Sequence, residues 1–224
     1  GGDGTCHEVV NGLIQDGKMV REQTAFTVIP FGTGSDLVRS LGIPKRTQDA
    51  LWVAATGVSK PSDFGWAEVT TDHGTHKEAF INVASFGASA AVARRVNQGT
   101  KRFGGTASFM GATLRTLMDY KPRAVRIQFS DDNGDHEWAR PLMTGFIANG
   151  RYCGGGMLVG PGGSMQDGLF DTCIFEPTPL SHQLVDLRHL YDGQIAKSRG
   201  ITTGQTSRLI AKSDELVHIE LDGE

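Results

Sequence analysis

With 224 residues, 38% of them hydrophobic and 21% charged, the chain has ordinary globular usage and enough length for one large domain or two small ones. A net charge of −3 without a basic, aromatic-interleaved stripe excludes a nucleic-acid reader, and no apolar run approaches the ~20 residues of a membrane-spanning helix. Cys6, Cys153 and Cys173 are too scattered for a disulfide framework or a zinc array and fit a reducing, cytoplasmic setting.

The chain opens on Gly1-Gly2-Asp3-Gly4-Thr5, a glycine turn feeding a helix predicted over residues 8–15. Glycines let backbone N–H groups approach an anion closely, the helix N-terminus adds partial positive charge, and Asp3 stands where a carboxylate can meet a phosphate-bound Mg²⁺. The plainer alternative is a turn that merely starts a helix. A short buried strand is predicted at Val28-Ile29, ended by Pro30, and Gly32-Thr33-Gly34-Ser35-Asp36 turns the chain into a second helix over 37–41. Either Ser35 or Asp36 caps that helix, or Thr33 and the loop amides touch a nucleotide. One nucleotide explains two such loops more simply than two accidents do. Neither is a P-loop or a full dinucleotide fingerprint.

A third helix is predicted over 47–55, after which Gly57, Pro61 and Ser62 punctuate the chain. Strands are then predicted over 66–69, 79–84, 124–129, 141–148 and 172–175, with a hairpin turn at Asp132-Asn133-Gly134 and helices over 88–96, 108–119 and 181–191. The shift divides the chain into an α/β part, 1–62, with its loops at the carboxyl ends of parallel strands, and an antiparallel β-rich part, 63–224. Gly154-Gly155-Gly156 reads as a flexible turn. Arg94, Arg95, Lys101 and Arg102 form a basic cluster, either a solvated helix end or a contact for anionic lipid headgroups. Most histidines read as surface polar residues; His7, in the first loop, is the exception, where a neutral imidazole can donate one hydrogen bond. Asp167, Asp222 and Glu224 all sit beside glycines that expose side chains at bends, which suits phosphoryl transfer and equally suits turn-forming carboxylates.

Gly1-Gly2-Asp3-Gly4-Thr5 with Glu8 and Asn11-Gly12, then Ile29-Pro30-Phe31-Gly32-Thr33-Gly34-Ser35-Asp36 with Ser40-Leu41-Gly42-Ile43-Pro44, resembles the diacylglycerol kinase catalytic domain of the lipid kinases. Phe80-Ile81-Asn82-Val83-Ala84-Ser85-Phe86-Gly87, the stretch from Gly154 through Asp167-Gly168-Leu169-Phe170-Asp171, and Leu221-Asp222-Gly223-Glu224 resemble later segments of that family in order. His7 and Ser35 stand where bacterial members usually carry Asn. The resemblance implies an ATP-binding α/β domain, here truncated, followed by a β-rich sandwich whose last strands are missing, so an incomplete and poorly active copy of a longer protein is expected. It implies ATP held by Gly2, Asp3, Gly4, Thr5, Cys6, His7, Glu8 and Thr33. It also implies a structural Mg²⁺ held by Ser164, Asp167 and Leu169, and a proton taken from the lipid hydroxyl by Glu224, with Asp222 orienting that group or holding the nucleotide's Mg²⁺. The partner it implies is a membrane lipid, such as diacylglycerol, a sphingoid base, ceramide or phosphatidylglycerol, met peripherally from the cytoplasm, with a homodimer allowed and no nucleic acid. The alternatives are an NAD kinase, whose superfamily shares the GGDGT loop, and a nucleotide- or lipid-binding homologue without turnover.

Overall fold

The computed structural model describes residues 1–32, 34–98, 105–131 and 134–224. Thr33, the Lys101 and Arg102 half of the basic cluster, and Asp132-Asn133 of the expected hairpin turn lie outside the described residues.

The first helix, α1 (Asp3–Leu13), starts earlier than its pattern suggests and runs into a short hairpin of β1 (Ile14–Gln15) and β2 (Lys18–Met19). Asp16 and Gly17, with φ of 51° and 75°, make the left-handed pair that a two-residue hairpin turn needs. Next come α2 (Asp36–Ser40) and α3 (Thr47–Thr56). Cys6, Val10 and Ile14 recur every four residues and bury one face of α1 with Val28, Leu37 and Val38. No ladder forms at Val28-Ile29. Instead Gly1 donates to Ile29 O at 2.8 Å and accepts from Phe31 N at 3.1 Å, the two bonds of a single parallel step around Pro30. A proline is tolerated there because the step uses its neighbours' groups.

The rest of the chain is built from β3 (Gly65–Thr71), β4 (Gly74–Phe80), β5 (Val83–Gly87), α4 (Ala88–Gln98), α5 (Gly105–Asp119), β6 (Arg123–Asp131), β7 (Gly134–Leu142), β8 (Thr144–Ala148), β9 (Tyr152–Cys153), β10 (Met157–Leu158), β11 (Phe170–Phe175), α6 (Leu180–Asp192), β12 (Ile201–Thr206), β13 (Leu209–Lys212) and β14 (Ile219–Leu221). Five strands pair in the order β12-β11-β8-β5-β14 and three in the order β13-β6-β7, with β3 and β4 as a separate hairpin. Every ladder among the described residues is antiparallel, so the parallel sheet expected of the first part is reduced to the Gly1 step.

Period-two alternation sorts the five-stranded sheet into two cores. Val83, Phe146, Ala148 and Cys173 face Leu190 of α6 and Phe109 of α5, while Phe86 and Ile174 face Val125, Ile127 and Leu142 of the three-stranded sheet. This is a β-sandwich with helices on its outer face. The expected strand 79–84 is broken at Ile81-Asn82, and the expected strand 141–148 at Met143, whose N–H bonds Phe175 O and whose C=O receives Ala88 N. The N-terminal segment is seated on the β4 end, since Ala79 and Ile81 belong to the α1 core.

Candidate functional site

The N-cap of α1 is Gly2, in extended conformation and without a side-chain cap, so the amides of the first turn lack a covering side chain. Uncapped N–H groups and the helix dipole make an anion seat. The second glycine motif lies directly on it: a Cβ on Gly32 would come within 2.7 Å of Gly2 Cα, so Gly32 requires glycine. Asp3 turns away from the seat. Its Oδ2 accepts from Asp36 N at 3.3 Å and its Oδ1 from Leu37 N at 3.2 Å, which makes Asp3 the cap of α2. Ser35 does not serve as that cap; it is left-handed, with φ of 55°, and its hydroxyl donates to Gly32 O. Asp36 is buried and accepts from Gly155 N at 2.7 Å and from Arg39, so the Gly154–156 bend is fastened to α2. Burial pushes the Asp36 carboxyl up.

Two of the residues expected at ATP, Cys6 and His7, have buried side chains. Cys6 is buried, and burial, then the nearby Asp3 charge, pushes its thiol to about 11, so it is an inert core residue. His7, 4% exposed, has Nδ1 3.2 Å from Asp222 Oδ2 and Nε2 3.0 Å from Glu78 Oε1. Carboxylates at both ring nitrogens favour the protonated imidazole over the neutral single donor expected from sequence. The Asp222 hydrogen bond is the largest cause raising the His7 pKa, and it outweighs burial. Burial works against the Glu78 charge, but hydrogen bonds from His76 and His7 bring its carboxyl below the usual range. Asn11 fixes the same helix to β4, donating to Ala79 O at 2.9 Å and accepting from Ala79 N at 2.8 Å. Gly2, Gly4, Thr5 and Glu8 remain accessible around the seat, Thr5 and Glu8 being exposed.

Asp222 explains the break between β4 and β5. Its Oδ1 accepts from Asn82 N at 2.8 Å and Val83 N at 3.0 Å, and its Oδ2 from Ile81 N at 2.8 Å besides His7. With those four acceptor positions filled, Asp222 positions the acidic turn and has no lone pair left for a metal or a substrate proton. The turn is closed by reciprocal Leu221 and Glu224 backbone bonds, and Asn97 of α4 donates to Gly223 O at 3.0 Å. Glu220 supports it from behind, accepting from Gly223 N and from Ser85 Oγ, which is linked onward to Ser89 and Thr144 hydroxyls. Burial raises the Glu220 carboxyl to about 7. Glu224 is exposed and its carboxylate lies over Gly4, so the free acid and the anion seat are brought together.

Ser164, Asp167 and Leu169 share one loop, where Asp167 Oδ1 accepts from Leu169 N at 3.0 Å and Asp63 Oδ2 accepts from Gly168 N at 2.8 Å. Asp167 is exposed, and the set offers only oxygen donors, the kind a hard cation takes. This loop makes no bond to the seat among the described residues. Sequence reasoning missed the side chains that join the parts: Asn82, bonded to Ser40 Oγ and Tyr152 O, and Asn149, bonded to Ile81 O and Asp63 O. Their signal was polarity inside apolar stretches that strand patterns assign to a core.

The family model for the diacylglycerol kinase catalytic domain matches residues 1–67, and the model for the YegS C-terminal NAD kinase beta sandwich-like domain matches residues 82–224. The chain belongs to this family of diacylglycerol kinases and YegS-like lipid kinases. It is 28% identical to a diacylglycerol kinase of Bacillus subtilis strain 168, an alignment covering 100% of this chain and 69% of that protein. It is 32% identical to a protein of Chromohalobacter salexigens named as a probable lipid kinase, YegS-like, over 78% of this chain and 51% of the relative. A crystal structure of a diacylglycerol kinase from Bacillus anthracis strain Sterne superposes with a TM-score of 0.65 at 19% identity, covering 99% of this chain and 66% of that one. That likeness carries the fold.

Proposed function

We propose that the chain carries the phosphate seat and the acidic turn of an ATP-dependent lipid kinase that moves the γ-phosphate of ATP to a hydroxyl of diacylglycerol or a related lipid. The observation that supports this most is the meeting of Glu224 with Gly4 at the uncapped N-terminus of α1. There the α1 amides hold phosphate oxygens, and Glu224 takes the proton of the attacking lipid hydroxyl as its oxygen bonds to the γ-phosphorus and ADP leaves with the bridging oxygen. Asp222 and His7 keep the turn against α1, and Asp3 keeps α2 and the second glycine motif in place. The exposed Asp167 carboxylate, with oxygens of Ser164 and Leu169, suits a structural Mg²⁺, which would supply fixed positive charge to its own loop.

The test is transfer of labelled phosphate from ATP to a panel of lipids by the protein at its native length, with NAD offered in parallel. Lipid phosphorylation that falls about 10²-fold or more in Glu224→Gln is expected. Labelling of NAD alone moves the chain to NAD kinase chemistry, and no labelling of any acceptor rejects the proposal.

A further inference from the structure

Between α4, the end of α5, the start of β6 and the segment before β14 lies a cavity of about 410 Å³ that shares no residue with the glycine motifs or the acidic turn. Arg94, Arg95, Tyr120, Lys121, Arg123 and His218 line it. Its opposing charges are Asp119, 3.3 Å from Arg95 and 3.5 Å from Arg115, and Glu215, 2.7 Å from Arg123. Arg94 and Lys121 have no carboxylate at ion-pair distance among the described residues, so positive charge is in excess there although the chain as a whole is negative. One donor is also left over. Arg123 and the Tyr120 hydroxyl hydrogen-bond each other, and because a guanidinium only donates, the Tyr120 O–H, shielded from solvent, keeps no acceptor among the described residues. Burial pushes the Tyr120 pKa up, which keeps its O–H as a donor. His218 is held below its ordinary value by burial and by the Arg94 and Arg123 charges, the signature of a site short of negative charge.

We infer that this cavity binds a phosphate ester. Unpartnered shielded donors are rare because each is costly to desolvate, and a ligand oxygen at this place removes that cost. A tetrahedral phosphate offers enough acceptor oxygens to meet the Tyr120 donor together with the Arg94 and Lys121 charges. At about 410 Å³ the cavity exceeds the need of a bare ion and falls in the size range of small-molecule sites, which leaves room for the alcohol half of the ester. Leu216, 78% exposed at its rim, gives that half an apolar neighbour. A glycerophosphate, free in solution or presented as an anionic phospholipid headgroup, has this chemistry. The inference stands apart from the kinase reading, because binding here requires no turnover.

The experiment is calorimetric titration of the chain with sodium phosphate, glycerol 3-phosphate and ATP, alongside flotation with phosphatidylcholine vesicles that contain or lack phosphatidylglycerol. Each is repeated on Arg94→Glu/Lys121→Glu and on Tyr120→Phe, with circular dichroism to verify the fold. Glycerol 3-phosphate is expected to bind saturably, about tenfold or more weaker in the charge-reversal variant and less weakened in Tyr120→Phe, with ATP affinity unchanged in both. Saturation should also raise the His218 pKa followed by NMR. Flotation with phosphatidylglycerol that the double variant loses identifies the headgroup as the source; binding of the soluble ester without flotation identifies the free form. No binding of glycerol 3-phosphate and no phosphatidylglycerol-dependent flotation, or equal binding of both by wild type and the double variant, overturns the inference.

Discussion

Replacing Asp222 by alanine tests the claim that this side chain holds the acidic turn rather than reacting. The carboxylate is 3% exposed and accepts three backbone N–H bonds, from Ile81, Asn82 and Val83, plus one from His7. Removing it leaves three amides and the His7 ring nitrogen without their acceptor. Each buried orphan costs about 1–3 kcal/mol, but the losses share one cavity that water can enter, so they do not add. A loss of about 4 kcal/mol follows, in line with breaking a buried ion pair from one side. Against a total stability of about 5–15 kcal/mol this is a large fraction, and for a chain of this size it lowers the melting temperature by roughly 10 °C. Calorimetry or urea unfolding at neutral pH measures it, with the exposed Glu224→Ala as a control expected within about 0.5 kcal/mol of wild type. Melting of Asp222→Ala within about 2 °C of wild type would refute the assigned role.

The other expectations concern charge and close approach. His7 has its pKa raised in the folded state by Asp222 and Glu78, so its stabilisation is complete below its unfolded value near 6.5 and is shed as pH rises through the folded value; His7→Asn should flatten the fall in melting temperature above pH 6.5. Glu220 is raised by burial from 4.5 to about 7, so ionisation weakens the fold as pH climbs across that window. Glu220→Gln should therefore gain on wild type between pH 5 and 8 by up to about 3 kcal/mol, read as parallel urea titrations. Gly32→Ala should cost about 1–3 kcal/mol and abolish ATP binding by calorimetry, because its Cβ would drive the second glycine motif off Gly2. An ATP affinity equal to wild type would show that the two motifs need no direct contact.

What could be read from sequence was local. The glycine turn, the helix that follows it, and the apolar stretches expected as strands over 79–84 and 141–148 carry most of their structure in their own neighbours. What escaped depends on distant partners. The gap at Ile81-Asn82 exists because a carboxylate some 140 positions later takes those amides. The bonds of Asp3 to the start of α2, 33 residues away, were not legible either. His7 gave no sign of its carboxylate partners, since Glu78 and Asp222 reach it from separate strands and turns. β12, Ile201-Thr202-Thr203-Gly204-Gln205-Thr206, lacks an apolar alternation and is held as an edge by its ladder to β11.

The Ser40–Asn82 clasp has a mechanical consequence. Ser40 Oγ donates to Asn82 Oδ1 and receives Arg151 N, while the Asn82 carbonyl receives both Asn149 N and Gly150 N. Helix α2 is thereby riveted to the sandwich beside the gap between β4 and β5, and the helical segment cannot tilt there without shearing several bonds together. Any opening of the glycine segment before α2, where Phe31 is exposed, would therefore pivot about that rivet.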